Sequence, residues 1–276
     1  MNADLLDPNL PLSKLGEGAF WHNASSTLYW VDIEGRMVHS YDTCARTHRS
    51  WQVSQQVSFV FPADEEGHLL LGMSDGVYDF DLATRVETAI ATLDLPSQHR
   101  LNDGKLDPSG RLWGGTINTS QEPSETAALY VLRDGVLEEV EGGYVNANGK
   151  TWSPDGKIIY HADTHRGAIW MYDYDGEAGT ISNRRVFVRK DDWHPDGLSS
   201  DREGRVLVAV YGGACVEIYS HRGDLIDKVD VPALNVTSCA LGPEGALFIT
   251  TAYAGMEDAD RQRSPLSGAV FTAKLI

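Results

Sequence analysis

Residues 101–116 read LNDGKLDPSGRLWGGT: a polar Asn-Asp-Gly, a Pro-Ser-Gly turn and a short apolar strand. Two other stretches have the same shape, NGKTWSPDGKIIYHAD at 148–163 and DGLSSDREGRVLVAVYGG at 196–213. Working outward from the strand that closes each, the same unit recurs along the chain. The anchor strands are LYWVD from Leu28, LLLGM from Leu69, LWGGT from Leu112, IIYHAD from Ile158, VLVAV from Val206 and LFITT from Leu247, spaced 41 to 48 residues apart. A turn precedes each: HNASST, ADEEGH, DPSGR, SPDGK, DREGR and GPEGA. Gly in such turns takes positive φ without steric cost. β-rich runs such as VYDFDLATRVE (77–87) and IWMYDYDG (169–176) follow the anchors, and no long amphipathic helix is visible.

Six units of about four short strands describe a six-bladed β-propeller, all-β, with the whole chain 1–276 as one domain. A two-sheet sandwich or a β-solenoid is the alternative, although solenoid repeats are usually shorter. The last unit, ending at SGAVFTAKLI (267–276), stops too early for an outer strand. The N-terminal segment LLDPNLPLSKL (5–15) is expected to supply it and so remove an exposed edge.

Counting back ten or eleven residues from each anchor gives Glu17, Ser58, Asn102, Asn148, Asp196 and Thr237, all polar. The first strand of a propeller blade lines the central channel, so these six positions form a ring about one axis. Carboxylate and amide oxygens are hard ligands for a divalent cation, and two carboxylates neutralise a +2 ion. Without a cation, two converging carboxylates repel and one takes up a proton. The competing reading is plain: Asn-Gly and Asp-Gly are common turn dipeptides, and channel oxygens also bind water.

Bulk properties bound the function. The formal net charge of −17 repels phosphate, which argues against nucleic acid and anionic membrane as partners. No run of 18 apolar residues occurs, and the N-terminus lacks the basic start and apolar core of a secretory signal. Three scattered thiols, Cys44, Cys215 and Cys239, without a CxxC, fit a reducing compartment, so a cytoplasmic location is expected. His161 and His165 are four apart, a zinc spacing on a helix but about 13 Å apart on a strand. DYDG (173–176) reads as a hairpin turn, since the EF-hand glutamate and flanking helices are missing. Trp193 and His194 are candidates for an aromatic rim. No GxSxG nucleophile motif is present.

GEGAFW (16–21), RLNDGKLDPSGRLWGGT (100–116), NGKTWSPDGKIIYHAD (148–163) and PDGLSSDREGRVLVA (195–209) resemble the SMP-30/gluconolactonase/LRE family, in order and over nearly the whole chain. The resemblance implies a six-bladed propeller and metal ligands at Glu17, Asn148 and Asp196. It implies a substrate contact at Asn102, with the Arg of the same motif at Arg100, and both are expected to hold substrate hydroxyls or the developing oxyanion. Ala19 stands where the family commonly has Pro, and Ile117 where it has Met; neither change removes a ligand. The expected activity is hydrolysis of a sugar (aldono-) lactone in sugar catabolism, with one divalent cation (Ca, Mg, Mn, Zn or Fe(II)) and Asp196 as general base. A non-catalytic calcium-binding or interaction propeller, or a metal-dependent esterase of other esters, is the alternative. The 117–130 segment is where substrate choice is expected to vary. Oligomeric state is open.

Overall fold

The computed structural model describes residues 1–120, 122 and 124–275. They form six four-stranded antiparallel sheets. In each, the anchor strand is the second of four, and the strand before it is the innermost. The innermost strands are Gly16–His22, Val57–Pro62, His99–Leu106, Ala147–Trp152, Pro195–Ser200 and Asn235–Leu241, defining blades 1 to 6. Among the described residues one six-residue helix, Asp258–Arg263, and two 3-10 turns complete the regular structure. Among the described residues no helix is long and apolar enough to cross a membrane.

The strands form because side chains alternate in burial, and the alternation sends each sheet's two faces into two different cores. In blade 1, Leu28 and Trp30 pack with Phe248 and Val270 of blade 6, whereas Val31 joins Val57, Val60 and Leu71 of blade 2. The pattern repeats around the ring, giving six buried apolar clusters, one at each blade interface. The outermost strands face solvent, and large exposed apolar side chains such as Ile90, Val136 and Leu225 sit there.

The turns before the anchor strands behave as their composition dictates. Gly67, Gly110, Gly156, Gly204 and Gly245 all have positive φ, and Ser26 takes the same role in blade 1. The glycines of NDG, NGK and PDGL do something else. They lie inside the innermost strands, not in turns. A Cβ on Gly149 would sit 2.1 Å from the Asp196 carbonyl oxygen and 2.6 Å from the Leu198 nitrogen. Glycine is required there because the backbones of blades 4 and 5 converge near the axis. The turn-dipeptide reading of these motifs is thereby corrected.

Closure uses less of the N-terminus than expected. Asp4–Leu5 pairs with Phe271–Thr272 as the outer strand of blade 6. Residues 6–15 extend it only by single backbone bonds, Leu6 to the Val270 carbonyl (3.0 Å) and Ser13 to the Gly268 carbonyl (2.8 Å), because Pro8 and Pro11 lack the N–H a ladder needs. Instead Asp32 holds that segment, accepting hydrogen bonds from the amides of Lys14 (2.8 Å) and Leu15 (2.9 Å).

Candidate functional site

The six ring positions share a feature that alternation alone does not foretell. Every innermost strand carries one extra residue relative to its neighbour. The register slips between Glu17 and Phe20, Val57 and Phe59, Leu101 and Gly104, Ala147 and Lys150, Pro195 and Leu198, and Val236 and Ser238. These are β-bulges, which bend a strand and re-aim side chains. Five of them span a ring residue and the sixth begins at Glu17, so the fold repeats a similar local distortion six times around the axis.

The ring divides into two kinds of residue. Ser58 and Thr237 spend their hydroxyls on neighbouring blades: Ser58 Oγ donates to the Leu101 carbonyl (2.7 Å) and Thr237 Oγ1 to the Gly16 carbonyl (2.5 Å). Neither lines the cavity at the ring's mouth. Glu17, Asn102, Asn148 and Asp196 do, with Arg100, in a space of about 540 Å³. All five are buried.

Asn148 Nδ2 donates to Asp196 Oδ1 (2.6 Å) and to Thr164 Oγ1 (2.9 Å). Its Oδ1 has no partner among the described residues. Asn102 is more constrained: its Oδ1 accepts from Arg100 Nη1 (2.8 Å) and its Nδ2 donates to Asn146 Oδ1 (2.9 Å). Arg100 also donates through Nη1 to the Leu101 carbonyl (2.8 Å), leaving Nε and Nη2 without protein partners among the described residues.

Neither Glu17 nor Asp196 enters an ion pair among the described residues. Burial raises the Glu17 carboxyl, and the charge of Asp103 adds to it, pushing it up to about 8. Burial and the charges of Glu17 and Asp103 hold Asp196 well above the carboxylate range. Burial draws Arg100 down to about 10, against the pull of Glu17. Two desolvated carboxylates that resist joint ionisation, beside a free amide oxygen, are a hard-oxygen set short of positive charge. These residues suit a divalent cation. Among the described residues no cluster of three or more His, Cys, Asp or Glu side chains offers a metal site; this set has two carboxylates and completes itself with amide oxygen.

Asp103 points away from the cavity and takes a buried partner. Lys150 Nζ donates to its Oδ1 (2.6 Å) and its carbonyl (2.8 Å). Lys105 reaches from blade 3 to the Leu198 carbonyl of blade 5 (2.8 Å), so charged side chains cross the axis beneath the site.

The remaining candidates separate. Trp193 is buried between blades 4 and 5, under Lys190, so it forms no rim. His194 does line the cavity. His161 is fully buried, with Nδ1 against the Gly149 carbonyl, whereas His165 lines the mouth, so the two do not form a zinc pair. DYDG is the end of Ala168–Asp175 and its turn, with Asp175 Oδ1 accepting from the amides of Glu177 and Ala178. Ile117 lines the cavity; Gln121 and Pro123 of the 117–130 segment lie outside the described residues.

Sequence reasoning missed Leu15, Ile33, Asn146, Thr164 and Tyr211, all on the cavity wall. A signal existed. They flank the innermost strands or follow the anchor strands at corresponding offsets in blades 1, 4 and 5.

With this geometry in view, the comparisons are informative. The SMP-30/Gluconolactonase/LRE-like region model matches residues 15–253. The chain is 34% identical over 273 residues to a pentonolactonase of Haloferax volcanii, covering 94% of this chain and 90% of that one. It is 33% identical over 265 residues to an L-arabinolactonase of Azospirillum brasilense, covering 94% and 88%. A calcium-binding regucalcin of Agrobacterium tumefaciens superposes with a TM-score of 0.91 at 28% identity, over 99% of this chain and 92% of that one.

Proposed function

The chain belongs to the SMP-30/gluconolactonase/LRE-like family, and on that premise we propose that it is a divalent-cation-dependent hydrolase opening a sugar lactone to its aldonic acid. The observation that carries this reading is the pair of buried carboxylates, Glu17 and Asp196, without ion-pair partners on the wall of a substrate-sized cavity that also presents Arg100. We further propose that residues 1–276 act as one propeller unit.

Glu17, Asn148 Oδ1 and Asp196 would hold the cation. When bound, it would supply Lewis acidity toward the lactone carbonyl and acidify a neighbouring water. Asp196 would take the proton of the attacking water as general base; Asn148 donates to its Oδ1, and its Oδ2 makes no hydrogen bond among the described residues. Arg100 presents its unspent Nε and Nη2 to the oxygen on which negative charge develops. Donors aligned in this way contribute on the order of a few kcal/mol. Asn102 acts chiefly by holding Arg100, since its carbonyl oxygen already accepts from that guanidinium. Ring opening yields a carboxylate, which the same guanidinium attracts.

The regucalcin relative is described as calcium-binding, which supports a cation at this site and also suits a propeller that only binds. The deciding experiment measures hydrolysis of a panel of pentono- and hexono-lactones by chelated protein, with single metals restored. Turnover that returns with metal and is lost in Asp196→Asn supports the lactonase. Tight metal binding without turnover on any lactone favours the binding propeller. Turnover of aryl or phosphotriesters alone favours the esterase.

A further inference from the structure

The mouth of the cavity has two chemically different sides, built from equivalent positions. In blades 1, 4 and 5 the residue just before the innermost strand and the residue just after the anchor strand are joined by one backbone hydrogen bond. In blade 1 they are Leu15 and Ile33 (2.9 Å), in blade 4 Asn146 and Thr164 (3.3 Å), in blade 5 His194 and Tyr211 (3.0 Å). The blade 1 pair is apolar, and Ile117 of blade 3 adds to it from the residue opposite Arg100. Blades 4 and 5 are polar, and their polarity is partly unspent. Asn146 Nδ2 and the imidazoles of His165 and His194 make no hydrogen bond among the described residues.

The reactive carbonyl belongs at the floor, among Glu17, Asn148, Asp196 and Arg100. The exocyclic carbons of a lactone therefore point toward the mouth. There a hydroxyl turned to blades 4 and 5 finds donors and acceptors. A hydroxyl turned to Leu15, Ile33 and Ile117 finds none and loses its water. Resting on the lactonase reading, we infer that the preferred substrates are aldonolactones with a methyl terminus: 6-deoxyhexonolactones. The secondary hydroxyl faces Asn146, His165 and His194, and the methyl group packs against Leu15, Ile33 and Ile117.

The test compares matched pairs: 6-deoxy-L-galactono-1,4-lactone with L-galactono-1,4-lactone, and 6-deoxy-L-mannono-1,4-lactone with L-mannono-1,4-lactone. L-arabinono-1,4-lactone serves as an independent substrate. The deoxy member of at least one pair is expected to have kcat/KM about tenfold or more above its hydroxylated partner, the scale on which a pocket rejects an unpaired hydroxyl. Leu15→Asn and Ile117→Asn, both at half-buried positions, each narrow that ratio severalfold by improving the hydroxylated lactone. Equal or reversed ratios in the wild type overturn the inference while turnover of L-arabinono-1,4-lactone leaves the lactonase reading standing. An unchanged ratio in both folded variants also overturns it. No turnover of any lactone overturns the lactonase reading and the inference together. The wild-type comparison decides the matter even if a variant fails to fold.

Discussion

Replacing Glu17 by Gln is expected to move stability in opposite directions with and without a cation. In chelated wild-type protein the Glu17 carboxyl is held near 8, against an ordinary value of 4.5. Its charged form is thus disfavoured by folding. Below 4.5 both folded and unfolded chains hold the proton and nothing is lost. As pH rises from 4.5 through 8 the unfolded chain ionises first, and stability falls. The gap from 4.5 to about 8 amounts to roughly 3 kcal/mol by pH 7 and roughly 5 kcal/mol above pH 8. Glu17→Gln has no proton to lose. In chelator it should therefore match the wild type near pH 5 and melt higher at pH 7. A chain of this size shifts by about 2–4 °C per kcal/mol, so the difference at pH 7 is about 6–12 °C. Saturating cation reverses the order. An ion at 1,000 times its Kd adds about 4.1 kcal/mol to the wild type, more than its roughly 3 kcal/mol deficit at pH 7, whereas the variant, with one carboxylate fewer, is expected to gain less than about 1 kcal/mol. The assay is a set of thermal melts at pH 5, 6, 7 and 8, with chelator or with a single divalent metal. Parallel curves for the two proteins in chelator across that range would refute the reasoning that two desolvated carboxylates oppose each other at this site.

Asp196→Asn should retain the fold and lose kcat for lactone hydrolysis by about a thousandfold or more, the scale of removing a general base together with a cation ligand; steady-state kinetics at saturating metal checks this. Lys150→Met strands Asp103 without its buried partner and should cost about 3–5 kcal/mol in urea unfolding, most of it recovered in Lys150→Met/Asp103→Leu. Gly149→Ala places a methyl 2.1 Å from the Asp196 carbonyl oxygen and should cost about 3 kcal/mol or more, with cation affinity measured by calorimetry falling as blades 4 and 5 are forced apart. Burial against Trp30, with the nearby His48 adding to it, lowers His39 from 6.5 to about 4. The folded protein therefore loses stability as pH falls from 6.5 to 4, by up to about 3 kcal/mol, and His39→Gln should flatten that acid limb in thermal melts.

Much of the architecture was legible because repetition is a one-dimensional signal. The anchor strands and their turns recur at a nearly constant interval, and the sheets follow from them. Four cavity residues, Glu17, Asn102, Asn148 and Asp196, were legible for the same reason: equal offsets put them at equal heights on the axis. The offset could not say how each polar atom is spent. Ser58 and Thr237 share it, yet their hydroxyls donate to carbonyls of the neighbouring blades. The bulges were hidden too, because an extra residue on one strand shows only against its partner's register. Leu15, Asn146 and Tyr211 sit at corresponding offsets but were passed over for a third reason. They differ chemically from blade to blade, and a search for sameness passes over positions whose purpose is to differ.

The pairing of Asp4–Leu5 with Phe271–Thr272 has a consequence for biosynthesis. During translation Leu5 leaves the ribosome long before Phe271 exists. Blades 1 to 5 can each hydrogen-bond four strands from contiguous chain as it emerges, but blade 6 waits for the whole polypeptide. Until then its sheet has a bare edge and the first and sixth blades have no clamp. Closure of so long a loop is slow relative to local hairpin formation. The nascent molecule thus passes through an open arc before it becomes a ring, and that arc is the species a chaperone would meet.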